Sequence, residues 1–536
     1  MYKKILTILG LLITLLLFTT CSFYSKAPHA PESLQERLAP GYASFIAPSL
    51  AGDLPNEPTV NRENYAHFED NPIKIVSEQP VSTFSIDVDT GAYANVRRIL
   101  NQGQLPQHDA VRVEEMLNYF TYDYPSPKSL EPPFKVTTEI APTPWNKKTH
   151  LLHIGIKGFD IPKKQLPPAN LVFLVDVSGS MQSPDKLDLL KSALKLLCNQ
   201  LTEKDKVSLV VYAGAAGLVL EPTAGNLGSK IKAALNRLTA GGSTNGGAGI
   251  QLAYAVAEQA LVINGINRVL LATDGDFNVG TVNFEALKNL IENKRQSGIS
   301  LTTLGFGTGN YNDQLMEQLA DAGNGNYAYI DTLNEAQKVL VDEMSSTLQT
   351  IAKDVKIQIE FNPTTVAEYR LIGYENRVLR REDFSNDKID AGEIGAGHTV
   401  TALYEIALVG SGGQRLEKLR YDNKNQTTPQ HNNELAFLRI RYKAPNGNTS
   451  KLLEWPQLRQ DIIGTLNHTS ERFRFAAAVA AFGQQLRGGK YLSQFSYDDI
   501  LSLARGARGK DHYGYRIEFV KLVNVAKSEA YEKNDR

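Results

Sequence analysis

The chain of 536 residues holds only two cysteines, Cys21 and Cys198, so no disulfide framework braces it once Cys21 is accounted for separately. Clustered thiolates are missing as well, and with them zinc-finger and iron–sulfur chemistry. Net charge is close to absent. Lys and Arg number 57 against 58 Asp and Glu, and removing residues 1–20, with Lys3 and Lys4, leaves 55 against 58. That balance excludes a protein that holds nucleic acid through its overall field. All nine histidines lie outside residues 154–397, and neither a P-loop nor a Gly-x-Ser-x-Gly elbow occurs, so the middle of the chain lacks the base beside a nucleophile that catalysis by acyl transfer needs. Coiled-coil and collagen periodicities are also missing, as are repeated long apolar runs. What remains is 42% hydrophobic and 21% charged, an ordinary globular composition with length for three or four domains at roughly one per 150 residues.

The N-terminus reads as an address. Tyr2-Lys3-Lys4 precedes an apolar run, Ile5 to Thr20, too short for a comfortable membrane span, which is the pattern of a secretory signal. Leu17-Phe18-Thr19-Thr20-Cys21-Ser22 resembles the bacterial lipobox, in which the cysteine becomes the lipidated first residue. The resemblance implies a lipid anchor on Cys21; several acyl chains, at about 0.8 kcal/mol per buried methylene, hold a protein at a bilayer permanently. Ser22 resembles an outer-membrane sorting signal, so the expected location is the bacterial cell envelope, at the outer membrane. Residues 22–80 carry eight of the 24 prolines and little apolar periodicity, the composition of a tether.

The domain organisation expected is a signal peptide over 1–20, lipidated Cys21 and tether over 21–80, an N-terminal α+β domain over 81–167, an α/β domain over 168–350, a β-rich domain over 351–465 and a helical segment over 466–536. In the α/β part, apolar strands such as Leu171–Val175 and Arg268–Ala272 alternate with amphipathic helices such as Lys186–Leu201. This predicts a doubly wound sheet with ligands at the carboxyl ends of its strands. On either side, alternating segments at 134–156 and 355–442 match in character. They are expected to pair, which would insert the α/β domain into one β-sandwich.

The chemistry concentrates in three stretches. Asp176-Val177-Ser178-Gly179-Ser180 follows the first buried strand; Gly241-Gly242-Ser243-Thr244-Asn245 is a glycine-rich loop before a helix; Thr273-Asp274-Gly275 ends the second buried strand. Two carboxylates and three hydroxyls, with no imidazole or thiolate, suit a hard divalent ion, Mg2+ or Mn2+, with Ca2+ less favoured because only two ligands are charged. The order Asp-x-Ser-x-Ser, distant Thr, Asp-Gly is similar to the metal-ion-dependent adhesion site of the von Willebrand factor type A domain. The resemblance covers about residues 168–348 and implies that Ser178, Ser180 and Thr244 bind the ion directly, while Asp176 and Asp274 bind it directly or through water. It further implies a protein partner that supplies an Asp or Glu to the ion, and recognition rather than turnover. The stretches Asn61–Tyr65, Ser82–Thr90 and Val111–Phe120, with the C-terminal part, resemble a bacterial subfamily of lipoproteins carrying this domain. A metal-assisted hydrolase, and an envelope component whose ion only stabilises the fold, stand as alternatives.

Weaker patterns point elsewhere. Asp87, Asp89 and Gly91 suggest a calcium loop, but Ala92 stands where glycine is needed and Arg98 where a bidentate Glu belongs, so a structural role is expected. Asp276 is expected to lie behind the ion or face solvent. Gly305-Phe306-Gly307-Thr308-Gly309-Asn310 lacks the third glycine of a dinucleotide fingerprint and is expected to be a tight turn. Cys198 shares a helix face with Leu190, Leu194, Leu197 and Leu201 and is expected in the core, while His150 and His153 are expected at the surface.

Overall fold

A computed structural model describes residues 62–86, 89–275, 283–389, 391–417 and 431–534. All of them belong to one compact unit, Thr59–Arg536. Its centre is a six-stranded sheet in the order Tyr327–Ile330, Ser300–Phe306, Ile266–Thr273, Ala169–Asp176, Lys206–Tyr212, Ala216–Ala224. Every pairing is parallel except the last. All eight residues of Ala169–Asp176 and of Ile266–Thr273 are buried, as continuous apolar runs in a sheet covered on both faces must be. One face packs on the Leu190, Leu194, Leu197 and Cys198 stripe, so the thiol lies in the core as expected. The other packs on Ile250, Ala253, Tyr254, Leu287, Ile291 and Leu319. The edge strand Ala216–Ala224 was not expected, because Gly217 and Pro222 interrupt its pattern; proline is tolerated there because an edge strand leaves one side unpaired. Strand order reverses between Ala169–Asp176 and Ile266–Thr273, and a crevice at the carboxyl ends of such a pair is where doubly wound sheets bind ligands.

The flanking segments form one sandwich. Its first sheet runs Lys74–Ile75, Val366–Ile372, Thr399–Leu408, Asn146–Gly158, Phe134–Thr143; its second runs Val378–Leu379, Val81–Ser85, Thr350–Phe361, Glu434–Lys443, Ser450–Leu458. Asn146–Gly158 pairs antiparallel with Thr399–Leu408, Ile154 opposite Ala402, so the expected pairing across the insertion is what the chain adopts. Ile154, Ile156, Leu371 and Tyr404 from one sheet meet Phe84, Ile357, Leu438 and Ile440 from the other in a single core. The expected separate domains at 81–167 and 351–465 are therefore two halves of one body.

The tether also ends earlier than residue 80. Lys74–Ile75 pairs with Val366–Ile372, the Arg62 amide donates to the Gly309 carbonyl at 2.9 Å, and Asn64 bridges Asn312. Proline content misled there, because edge pairing tolerates a proline-rich segment that could not form a central strand. A helical layer closes the molecule. Glu471–Leu486, Tyr497–Arg505 and Tyr515–Asn534 pack with Gly91–Asn101 and Val113–Asn118 around Tyr93, Met116, Phe120, Phe475, Phe482 and Phe519. Ser470 caps the first of these helices through the Phe473 amide, and Ser496 with Asp499 forms the expected capping box.

This layer covers the outer face of the first sheet, so all ten residues of Thr399–Leu408 are buried. It also corrects the placement of His153, which is fully buried between Tyr124, whose hydroxyl lies 2.9 Å from Nε2, and the ring of Phe473. No helix among the described residues is long and apolar enough to cross a membrane.

Candidate metal centre

Asp176 is the last residue of its strand and has no solvent exposure. Its Oδ1 accepts the Ser178 amide at 2.8 Å, and Oδ2 accepts the hydroxyls of Thr273 at 2.9 Å and Tyr212 at 3.2 Å. Burial raises its pKa, the Ser178 hydrogen bonds oppose that rise, and the nearby charge of Asp274 adds to it. The chain then turns through Gly179–Gln182, which brings the Ser178 and Ser180 hydroxyls within 3.0 Å of each other. The glycine-rich loop is stapled to this turn by its backbone: the Gly241 amide donates to Val177 at 2.8 Å and the Gly179 amide to Gly242 at 2.9 Å. Gly242 has φ of +87°, a conformation that favours glycine. Thr244 lies half-buried on this loop, just before Asn245 caps the helix Gly246–Gln259 through the Ala248 amide.

Asp274, also without exposure, follows the neighbouring strand at the same sheet edge. Its Oδ2 accepts Lys186 Nζ at 2.9 Å and Asn310 Nδ2 at 3.3 Å, and Lys186 donates onward to Asn310 Oδ1 at 3.1 Å. Gly275 must be glycine, since φ is +83° and an added Cβ would lie 2.5 Å from the Asn312 nitrogen. The structure thus brings Asp176, Ser178, Ser180 and Asp274 to the switch point, and carries Thr244 two residues beyond Gly242 on the loop whose backbone is bonded to their turn.

Lys186 and Asn310 escaped the sequence reasoning. Lys186 looks like a polar residue at a helix start, yet only a carboxylate partner makes a buried ammonium affordable. Asn310 ends the glycine turn: Gly307 gives room to the Lys186 stem, whose carbons would lie 2.3 Å from a Cβ there, while Gly305 makes room for the Tyr311 ring. Asp89 is structural, accepting the Tyr327 amide at 2.7 Å and lying 3.6 Å from Arg377. Asp87 and Asp276 fall outside the described residues.

The donor set fits a hard cation. An ion with octahedral bonds of about 2.1 Å places neighbouring ligand oxygens about 3.0 Å apart, and the Ser178 and Ser180 hydroxyls stand at that separation. With an ion of charge two added to the two carboxylates and the Lys186 ammonium, the centre would carry one net positive charge.

Three family models match the chain in succession: "von Willebrand factor" over residues 59–153, "von Willebrand factor type A domain" over 170–343, and "Uncharacterized protein YfbK, C-terminal" over 346–528. The protein YfbK of Escherichia coli (strain K12) is 49% identical over 505 residues, a match covering 92% of this chain and 86% of that one. The chain belongs to the YfbK family of von Willebrand factor type A domain proteins. The inter-alpha-trypsin inhibitor heavy chain H3 of Homo sapiens is 28% identical over 167 residues, 30% of this chain and 18% of its own. Among solved structures, a von Willebrand factor type A protein from Catenulispora acidiphila aligns over 73% of this chain and 89% of its own, at 14% identity and a TM-score of 0.39. BatB from Bacteroides thetaiotaomicron aligns over 33% of this chain and 97% of its own, at 21% identity and a TM-score of 0.29. The first and third family models cover the two parts of this chain that the sandwich and helical layer join, on either side of the type A domain.

Proposed function

We propose that this YfbK-family protein is a metal-ion-dependent protein-binding lipoprotein of the bacterial cell envelope, an adhesion or scaffold component anchored through Cys21 to the outer membrane. Asp176, Ser178, Ser180, Thr244 and Asp274 would hold Mg2+ or Mn2+, and the ion would supply an electrophilic position for an Asp or Glu of a protein partner. The observation that carries this is the pair of hydroxyls 3.0 Å apart beside two buried carboxylates at the sheet's switch point. The chain's own residues prepare that capture. Tyr212 and Thr273 fix the Asp176 carboxylate, and Asn310 and Lys186 fix that of Asp274. The Lys186 ammonium tips the loaded centre to net positive, so a carboxylate from outside neutralises it in a charge-assisted contact. Binding of this kind needs no proton transfer, which suits a domain without histidine.

Isothermal titration of Mg2+ into the wild type and Asp176→Ala tests the centre: binding by the wild type and none by the variant supports it, and equal binding by both removes it. Capture of a partner that chelator abolishes separates recognition from an ion that only stabilises the fold. Labelling with a radioactive fatty acid, lost in Cys21→Ala, tests the anchor.

A further inference from the structure

At the opposite end of the central sheet, about 20 Å along the strand from Asp274, a cavity of about 260 Å3 lies where the α/β domain meets the sandwich. Arg268, from the start of the strand Ile266–Thr273, lines it and is 3% exposed. Its Nη1 donates to the Thr302 hydroxyl at 2.6 Å, its Nε has no hydrogen-bond partner, and no carboxylate among the described residues forms an ion pair with it. Other buried arginines are compensated: Arg97, Arg98, Arg112 and Arg377 each hold at least one carboxylate within 3.6 Å, and Arg516 donates to the carbonyls of Arg508 and Thr121. Glu393, also lining the cavity, acts on Arg268 only through space, its oxygens taken by Asn324 at 2.7 Å and Thr350 at 2.8 Å. On the sandwich side, Asn376 donates to Glu317 at 2.7 Å, but its buried Oδ1 has no partner. An unpaired guanidinium donor and an unpaired amide acceptor thus belong to residues in the wall of one polar cavity, which Ser346 and Thr347 also line.

Burying an arginine without a directly bonded counter-charge works against folding, and burial, only partly opposed by Glu393, draws its pKa down to about 10, which still leaves it cationic at neutral pH. A ligand that supplies the missing anion explains its retention. We propose that this cavity binds a small anionic molecule, with a carboxylate or phosphate group on Arg268 and a hydroxyl donating to Asn376 Oδ1. The volume is below the usual range for drug-sized ligands, so the body of the molecule is no larger than a single sugar acid. Its walls come from both the α/β domain and the sandwich, so an occupant stabilises their junction.

The test is isothermal titration and thermal denaturation of the full chain in phosphate-free buffer with D-glucuronate, inorganic phosphate and neutral glucose. Saturable binding of either anion with a rise in melting temperature, and none with glucose, is expected. Phosphate alone would mark a bare oxyanion site and glucuronate alone a sugar-acid site. Arg268→Gln is expected to weaken anion binding at least tenfold while melting, without ligand, no lower than the wild type. Thr347→Trp, which fills the cavity and keeps the guanidinium, is expected to lose binding as well, and decides the matter if Arg268→Gln fails to fold. Neither anion binding the wild type, Arg268→Gln binding as tightly as the wild type, or Thr347→Trp retaining wild-type affinity would each overturn the proposal.

Discussion

Replacing Lys186 by methionine isolates the one charge in the candidate metal centre that is not part of the proposed oxygen shell. The ammonium lies 2.9 Å from Asp274, with 8% and 0% of the two side chains exposed. Removing one partner of a buried pair costs about 3–5 kcal/mol, because the other charge stays buried without compensation. In chelator, Lys186→Met should therefore unfold at lower urea concentration than the wild type. The ion should respond in the opposite sense. A cation of charge two held on the far side of the Asp274 carboxylate would stand about 6 Å from the ammonium; removing that repulsion would favour ion binding by about 1.4 kcal/mol at the dielectric of water and about 2.8 kcal/mol at half that value. Mg2+ should bind the variant about ten- to a hundredfold more tightly in isothermal titration, and should restore part of the lost stability. An acidic peptide that binds the loaded wild type should bind the variant more weakly, since the centre is then neutral. Two affinities moving in opposite directions cannot come from general loss of structure. Unchanged or weaker Mg2+ binding by Lys186→Met would refute the reasoning.

Ser180→Ala removes a hydroxyl 3.0 Å from Ser178 at a half-buried position, so titration should show about tenfold weaker Mg2+ binding with stability changed by less than about 1 kcal/mol. His153 has its pKa pushed down by burial to about 3, below the value of about 6.5 in an unfolded chain. The unfolded state therefore takes up the proton first, and stability falls by about 1.4 kcal/mol per pH unit as pH drops from about 6.5 towards 3. His153→Gln should flatten that part of the curve in urea titrations at several pH values; an unchanged slope would place the acid sensitivity elsewhere. Asp313 accepts Arg112 at 2.5 and 3.2 Å and the Tyr327 hydroxyl at 2.6 Å, with no exposure. Asp313→Asn leaves that guanidinium short of charge and should cost about 3–5 kcal/mol, seen as a lower urea midpoint; a loss below about 1 kcal/mol would show that the pair does not hold the domain in place.

The centre was legible because its chemistry is local. Asp176, Ser178 and Ser180 share one loop, Asp274 ends a strand whose apolar run marks it as buried, and the alternation of strands and helices says that both strands end at one edge. Lys186 and Asn310 were not legible, because nothing in a lysine after Pro184-Asp185 or an asparagine after a glycine turn reveals that the two converge on Asp274 across 124 residues of sequence. The insertion was legible from matching alternation on both sides. The helical layer over the sandwich was not: alternating patterns predict a wet outer face, and only the all-buried strand Thr399–Leu408 and the enclosed His153 show that helices from both ends of the chain cover it. Tertiary context overrode a sound local inference there.

The seam between the inserted domain and the rest explains why the split parts must fold together. Arginines from outside the insert reach carboxylates on it: Arg97 to Asp331 and Glu335, Arg112 to Asp313, Arg377 to Glu317 and Asp321. Such buried pairs add little net stability, since desolvation offsets most of the Coulomb gain, but each is costly to break singly, so together they favour one seating over a shifted one. The domain is joined to the sandwich by the chain at both ends as well. Where the seam also closes around Arg268, the same logic leaves a gap in the pattern: among the described residues no carboxylate forms an ion pair with this buried arginine.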